Sequence, residues 1–332
     1  MIPRFSVGPG LVRVGLAALV VLSHMSSLEI GRPAVFAFFM LSGYWVLRMY
    51  EEKYRTLPLR VFYLSRILRV WLAFATAFLI VFLLRGGTDW TLLTGLPLLG
   101  IATTGRDVLG TSWSLDIEIQ FYLAVPLLWV LLQWMGNAPG RRALLLCAAG
   151  VLTLLGWYLQ LAHGVWTVLS YLPSFCLGMF IWHVRMRAST RHALASLLVF
   201  GIAGLVVALV PDLRPLLLKT VAAPVHEDWF GMVWVAMLMP FLAWNVAQRS
   251  GPMDMHLGNY SYALYITHWP VIAFLRPVLE PLSLLDRGVI LVVVIVVSTL
   301  FYMTVDRGWE ALRRHLIGRM SRGTKPSGSL VL

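Results

Sequence analysis

Charge is scarce in this sequence. Asp, Glu, Lys and Arg make up 13% of its 332 residues, roughly half the share of a soluble domain. Hydrophobic residues make up 59%, and mean hydropathy is +0.79. That balance excludes an ordinary soluble domain and describes a polytopic membrane protein. Cysteine is nearly absent. Cys147 and Cys176 both lie in apolar runs without metal-ligand spacing, so they read as small packing residues. The chain has no Walker-type glycine loop, no His-x-x-x-His pair and no Gly-x-Ser-x-Gly elbow, so the chemistries those motifs carry have no support. No bound metal is indicated. No small-x-small cleavage site closes the first apolar run, which reads as an uncleaved helix. There is no internal repeat, and the only low-complexity stretch is the tail "SRGTKPSGSLVL".

What is present is a succession of apolar runs. A helix needs about 20 apolar residues to cross the hydrocarbon core. About ten such segments are expected, at roughly 11–28, 33–50, 67–85, 113–134, 143–162, 167–185, 193–211, 229–247, 259–276 and 288–306. The fold class is therefore all-α and polytopic, with a transmembrane domain over 1–310 and a short basic cytoplasmic tail over 311–332. The net charge of +12 raises the question of nucleic acid. Placing the N-terminus in the cytoplasm puts 20 of the 27 Lys and Arg residues on the cytoplasmic side. This is the positive-inside bias, and it predicts an N-in, C-in topology. It accounts for the basic excess without a nucleic-acid partner. Two longer segments, 86–112 and 211–228, face outward in this topology, and the second contains "HEDW".

Polar residues inside apolar runs carry the functional signal, because such groups are costly in lipid and face the protein interior or a wet cavity. Arg13 and His24 are eleven residues apart, 20° past three full helical turns, so they project from one face. Ser42, Gly43 and Tyr44 interrupt the second run, where small residues also permit close helix packing. Arg66 and Arg69 share one face at the cytoplasmic start of the third, as topology markers or as a phosphate clamp. Asp116 and Glu118 open the fourth run on different faces; Glu118 aligns with Tyr122 and Asp116 with Gln120. In the ninth, Ser261, Tyr265 and His268 form one polar stripe ahead of Pro270. Asp306 ends the tenth, as a cap or a salt bridge to Arg307 or Arg66.

Five of these stretches, in order, resemble the membrane acyltransferase-3 family, bacterial integral-membrane O-acyltransferases: "RVGLAALVVLSH", "FFMLSGYWV", "RILRVW", "SWSLDIEIQFYLAVP" and "LGNYSYALYITHWPV". The resemblance covers about residues 11 to 310. By position it implies that His24 is the essential first-helix histidine and Arg13 the arginine before it. It implies that Arg66 and Arg69 are the paired arginines of the acyl-CoA site, that Glu118 is the glutamate of the Ser-Leu-x-x-Glu motif, and that His268 is the ninth-helix histidine. Ser42, Tyr44, Tyr122 and Tyr265 join the candidate substrate and donor contacts. Two departures stand at the cytoplasmic rim. The family's acidic residue before the first arginine is replaced by "GPG", and its closing Glu-Arg-Pro by Asp306-Arg307-Gly308. With about twenty residues after the last run, a stand-alone member without a hydrolase-like extension is expected.

The resemblance implies acyl transfer, most simply of acetyl, from acyl-CoA as co-substrate to a glycan hydroxyl, with no resident cofactor. His24 would act as general base, or take the acyl group itself. Glu118 would orient His24 or a water, and Tyr122 would aid the oxyanion. The implied partners are acyl-CoA, a cell-surface or exported polysaccharide or its lipid-linked precursor, membrane lipid and polysaccharide-assembly machinery. The implied location is the bacterial plasma (inner) membrane. Two other readings follow from the residues alone: a transporter or proton relay built on the intramembrane histidines and carboxylates, and a non-catalytic scaffold.

Overall fold

The computed structural model describes residues 6–136, 138–219, 223, 225–279 and 283–322. Part of the predicted tail, 323–332, lies outside them, as does Arg4. Among the described residues the chain is helical. The α-helices are α1 (Pro9–His24), α2 (Gly31–Met49), α3 (Leu59–Leu84), α4 (Ile101–Thr104), α5 (Trp113–Met135), α6 (Pro139–His163), α7 (Val168–His183), α8 (Thr190–Leu209), α9 (Glu227–Ala236), α10 (Met239–Asn245), α11 (Pro252–Leu279), α12 (Leu284–Phe301) and α13 (Arg307–Arg322). No strand forms among them; an isolated bridge joins Leu28 to Leu218.

The predicted runs are helical over most of their length, and two departures bear on the site. The eighth breaks between α9 and α10 at Met237 and Leu238, where Pro240 fits only the first turn of a new helix. The third begins at Leu59, eight residues before the predicted start. Arg60 and Arg66 fall before the predicted start, and Arg69 just inside it. Arg66 and Arg69 stand in the second and third turns of α3. Among the described residues five helices are long and apolar enough to cross a membrane: α3, α5, α6, α8 and the continuous helix Leu284–Arg322. The 26 residues of α3 rise about 39 Å, more than the hydrocarbon core requires. In α6 only Thr153 and Gly156 are buried, while Leu146 and Leu154 are exposed. A helix apolar all round that leaves most of its surface uncovered is built for lipid. The protein is embedded in the membrane and crosses it more than once.

The chain divides into two compact units. One comprises 1–44 and 171–300, the other 45–170 and 301–332.

In the first unit α1 and α11 run parallel. The Asp254 carboxylate, at the start of α11, accepts from the backbone N–H groups of Gly10 at 3.0 Å and Leu11 at 2.9 Å. An acceptor at the N-terminus of α1 satisfies two donors that the helix cannot satisfy itself. Close approach is possible because the facing residues are small. A Cβ on Gly10 would collide with the Asp254 backbone, and one on Gly258 would sit 3.4 Å from the Gly10 Cα. Farther along, Ala17, Val21, Leu264, Ile272, Ile290 and Val294 form a buried apolar cluster. The Ser42-Gly43-Tyr44 stretch has a packing explanation here. A Cβ on Gly43 would strike the Phe175 backbone of α7, and one on Gly178 would strike the Met40 backbone of α2.

In the second unit α3 packs against α5 and α13. Two π-helical turns belong to it, Tyr50–Tyr54 and Tyr302–Asp306. Such wide turns re-aim the side chains that follow them. The segment 86–112 is ordered by carboxylates. Asp107 accepts from the Ser112 N–H and Oγ, both at 2.6 Å, and Asp116 accepts from the Ala102 N–H at 3.0 Å.

Candidate functional site

Two clusters gather most of the residues picked from the sequence, one in each unit. The first is built on the parallel pair α1 and α11. His24 is the last residue of α1, and its ring lies 5.3 Å from that of His268, centroid to centroid. The Trp269 ring lies 4.6 Å from His24 on another side, and Tyr265 stands 5.8 Å from His268. Arg13 lies against Gly258, so Arg13 and His24 do face one helix, as their spacing predicts. His268 is fully buried. Its Nδ1 lies 2.7 Å from the Tyr265 carbonyl oxygen and 3.2 Å from that of Leu264. Carbonyls only accept, so Nδ1 carries the hydrogen. Its Nε2 has no hydrogen-bond partner among the described residues. Burying an unused acceptor costs about 1–3 kcal/mol, which marks this nitrogen for explanation.

A second layer, which the sequence reading did not single out, surrounds the end of α1. The Lys219 ammonium donates to the Ser23 carbonyl, and the Lys219 N–H donates to Ser27 O at 2.9 Å. The Glu29 N–H donates to Leu217 O at 2.8 Å. A cation on the last carbonyls of a helix is favourable. Burial raises the Glu29 carboxyl above its usual range, against the pull of Arg32 and Lys219. Burial likewise lowers the Lys219 ammonium, with Glu29 opposing. Arg32 pairs with buried Asp228 at 2.8 Å, and Tyr171 donates to the same carboxylate at 3.3 Å. Asp228 belongs to the "HEDW" stretch. A carboxylate in an apolar context was the available signal, but its partners lie far off in sequence.

The second cluster is built on α3. Arg69 pairs with Asp306 at 3.1 Å and reaches Glu310 at 3.7 Å. Arg69 is thus the partner of Asp306, in place of the predicted Arg307 or Arg66. Arg313 chelates Glu310, at 2.9 Å and 2.7 Å, and donates to Ser65 O and Oγ at 3.2 Å and 2.9 Å. Ser65 Oγ also shares a hydrogen bond of 2.7 Å with Tyr54. Residues 311–322 are therefore part of a helix docked on α3. Arg66 is 9% exposed. Its Nε has no partner among the described residues, although Tyr122, Tyr54, Arg69 and Arg313 lie within electrostatic range. Tyr122 donates to Glu118 at 2.6 Å, and Gln120 donates to Asp116 at 3.0 Å. Both pairings match the helical spacing. Asp116 is spent on structure, since Gln120 also accepts from the Val168 N–H at 2.9 Å.

Ser42 and Tyr44 are buried, and Tyr44 meets Trp182 edge-on at 5.7 Å. What the geometry gives them directly is helix packing. Ser261 bonds back to Gly258 O at 2.8 Å. Among the described residues no group of three or more His, Cys, Asp or Glu is arranged to hold a metal.

Residues 7–303 match the acyltransferase-3 family, described as an acyltransferase domain. The chain belongs to that family and is a membrane acyltransferase. It is also similar to a protein of Komagataeibacter xylinus named as a membrane-bound transacylase, BcsY. The two are 26% identical over 348 residues, which cover 93% of this chain and 84% of that protein. No solved structure matches the chain significantly.

Proposed function

We propose that the protein transfers an acyl group, acetyl in the simplest case, from acyl-CoA to a hydroxyl of a glycan. The acceptor is a cell-surface or exported polysaccharide or its lipid-linked precursor. In this reading the chain crosses the bacterial inner membrane about ten times with both ends in the cytoplasm. The observation that carries the proposal is a pair of neighbouring imidazoles, half-buried His24 and fully buried His268, in a family member whose reaction needs a base.

In the proposed reaction the acceptor hydroxyl oxygen bonds to the thioester carbonyl carbon and the C–S bond breaks. His24 takes the hydroxyl proton and returns it to the departing thiolate. A neutral imidazole suits the first step and an imidazolium the second. Arg66 is assigned the donor's phosphates. Its guanidinium is buried, and its Nε is unsatisfied among the described residues; a phosphate would supply both charge and acceptors. Arg69 holds α13 through Asp306 and Glu310 and so shapes the surroundings of Arg66. Glu118 keeps the Tyr122 hydroxyl oriented.

The test is direct. Membranes containing the protein, supplied with labelled acetyl-CoA, should transfer label to surface glycan, and His24→Ala should lower that transfer by about 1,000-fold. Loss of 42 Da increments from the glycan mass spectrum of a deletion strain would identify the acceptor, with 42 Da being about the mass an acetyl group adds when it replaces hydrogen. Flux of a solute or protons through the purified protein in liposomes, with no labelled product, would overturn the proposal in favour of transport.

A further inference from the structure

We infer that His268 is a positioning residue that selects the tautomer of His24. The inference rests on the acyl-transfer reading for its catalytic consequence, but its geometric content stands apart. His268 is completely buried, and both acceptors within reach of its Nδ1 are backbone carbonyls. The neutral ring therefore keeps its hydrogen on Nδ1 and presents a bare lone pair at Nε2. That lone pair has no partner among the described residues. The neighbouring ring is His24, at 5.3 Å between centroids. The two rings are neighbours without a direct hydrogen bond between them, a separation that one water can bridge.

His24 has the complementary need. Among the described residues no protein group hydrogen-bonds either of its ring nitrogens, so nothing else among them chooses which one carries the hydrogen. Which nitrogen of a neutral histidine is the base is decided by what the other one donates to. A hydrogen bond from one His24 N–H to His268 Nε2 through one water leaves the second nitrogen of His24 as the lone pair that meets the acceptor hydroxyl. The order of events on α11 supports the assignment. Tyr265 and Leu264 lie one turn before His268 on the same helix, so the lock on Nδ1 is set by helix geometry. Trp269, the next residue, lies against His24 at 4.6 Å and limits how the ring can turn. The arrangement does for His24 what a carboxylate does for histidine in a triad, with a neutral acceptor in place of a charged one.

Two substitutions separate this role from packing. Asn places its carboxamide near the position of Nδ1 and keeps the bond to the backbone carbonyls. Gln places its carboxamide oxygen near Nε2 and keeps the acceptor. His268→Gln is expected to retain at least about a tenth of the acyl-transfer rate, and His268→Asn to lose about 100-fold or more, the scale of a misoriented general base. Nitrogen-15 NMR of histidine-labelled protein in bilayers supplies the second readout. In the wild type His268 should show a protonated Nδ1 and an unprotonated Nε2, and His24 a single tautomer. In His268→Asn, His24 should become a mixture; in His268→Gln it should not. The inference is overturned if Asn preserves activity and Gln does not, if the two variants are equally active or equally inactive at wild-type abundance, or if His268 carries its hydrogen on Nε2. Were the wild type itself inactive in acyl transfer, the reading of function would fail, and the NMR comparison would still decide the tautomer.

Discussion

The histidine pair of one unit and the arginine cluster of the other solve opposite electrostatic problems. The pair on α1 and α11 is neutral when both imidazoles are deprotonated, and what it leaves unsatisfied is a lone pair, His268 Nε2. The cluster on α3 and α13 is strongly charged, and three of its arginines reach a carboxylate. Glu310 serves Arg69, Arg313 and Arg314, and Asp306 serves Arg69. Arg66 is the group left over. Neighbouring arginines on one helix face can therefore differ completely in role: one is structural because its carboxylates have arrived, and the other is open because none has.

The largest expected effect breaks the first half of the comparison. His24→Ala should lower acyl transfer by about 1,000-fold, within the span of general-base contributions, with the protein's abundance in the membrane unchanged. The next prediction sharpens the second half by a difference in sign. Arg69→Met strands buried Asp306 beside Glu310 and should destabilise the protein by about 3 kcal/mol, read as a lower thermal midpoint in detergent. Arg66→Met removes a buried, unmatched charge. It should leave the midpoint unchanged or raise it, while acetyl-CoA affinity falls at least about 10-fold, the loss of one charge-assisted contact to phosphate. If both variants behave alike, the two arginines are not distinct.

A smaller effect concerns the end of α1. Lys219→Met removes the cation from the Ser23 carbonyl and should cost about 1 kcal/mol. Faster amide exchange at Leu28 and Glu29 would report it. The smallest effect is at the other end of the same helix. Burial opposes ionisation of Asp254, but hydrogen bonds from Ser250, Gly10 and Leu11, with Arg13 nearby, outweigh it, so the carboxyl ionises below its usual range. A depressed folded-state pKa contributes stability that is present above the unfolded value of about 3.9 and is lost as pH falls through the folded one. Exchange at Gly10 and Leu11 should therefore rise only below about pH 4, and Asp254→Asn should flatten that rise.

Local periodicity made much of this legible. Glu118 with Tyr122, Asp116 with Gln120, and Arg13 with His24 on one face all follow from 100° per residue, because each pair lies on a single helix. The membrane character followed from composition. α3 starts earlier than expected because Arg60 and Arg66 are charged residues at the edge of an apolar run, which read as lying outside it. The bond from Arg69 to Asp306 spans 237 positions, and that from Arg313 to Ser65 spans 248; no window along the chain contains both partners. Lys219 was counted as one basic residue in an outer loop, and nothing near it in sequence pointed to Ser23.

From residues alone came the helical, membrane-embedded character of this protein, the chemical types of its candidate groups and the face of its helix on which each one lies. These are properties of single segments, set by hydrophobicity and the helical repeat. The folded molecule decided which imidazole nitrogen holds its hydrogen and which arginine keeps an unanswered charge. Both depend on whether a distant acceptor comes within about 3 Å, and only the packing of remote helices against one another determines that.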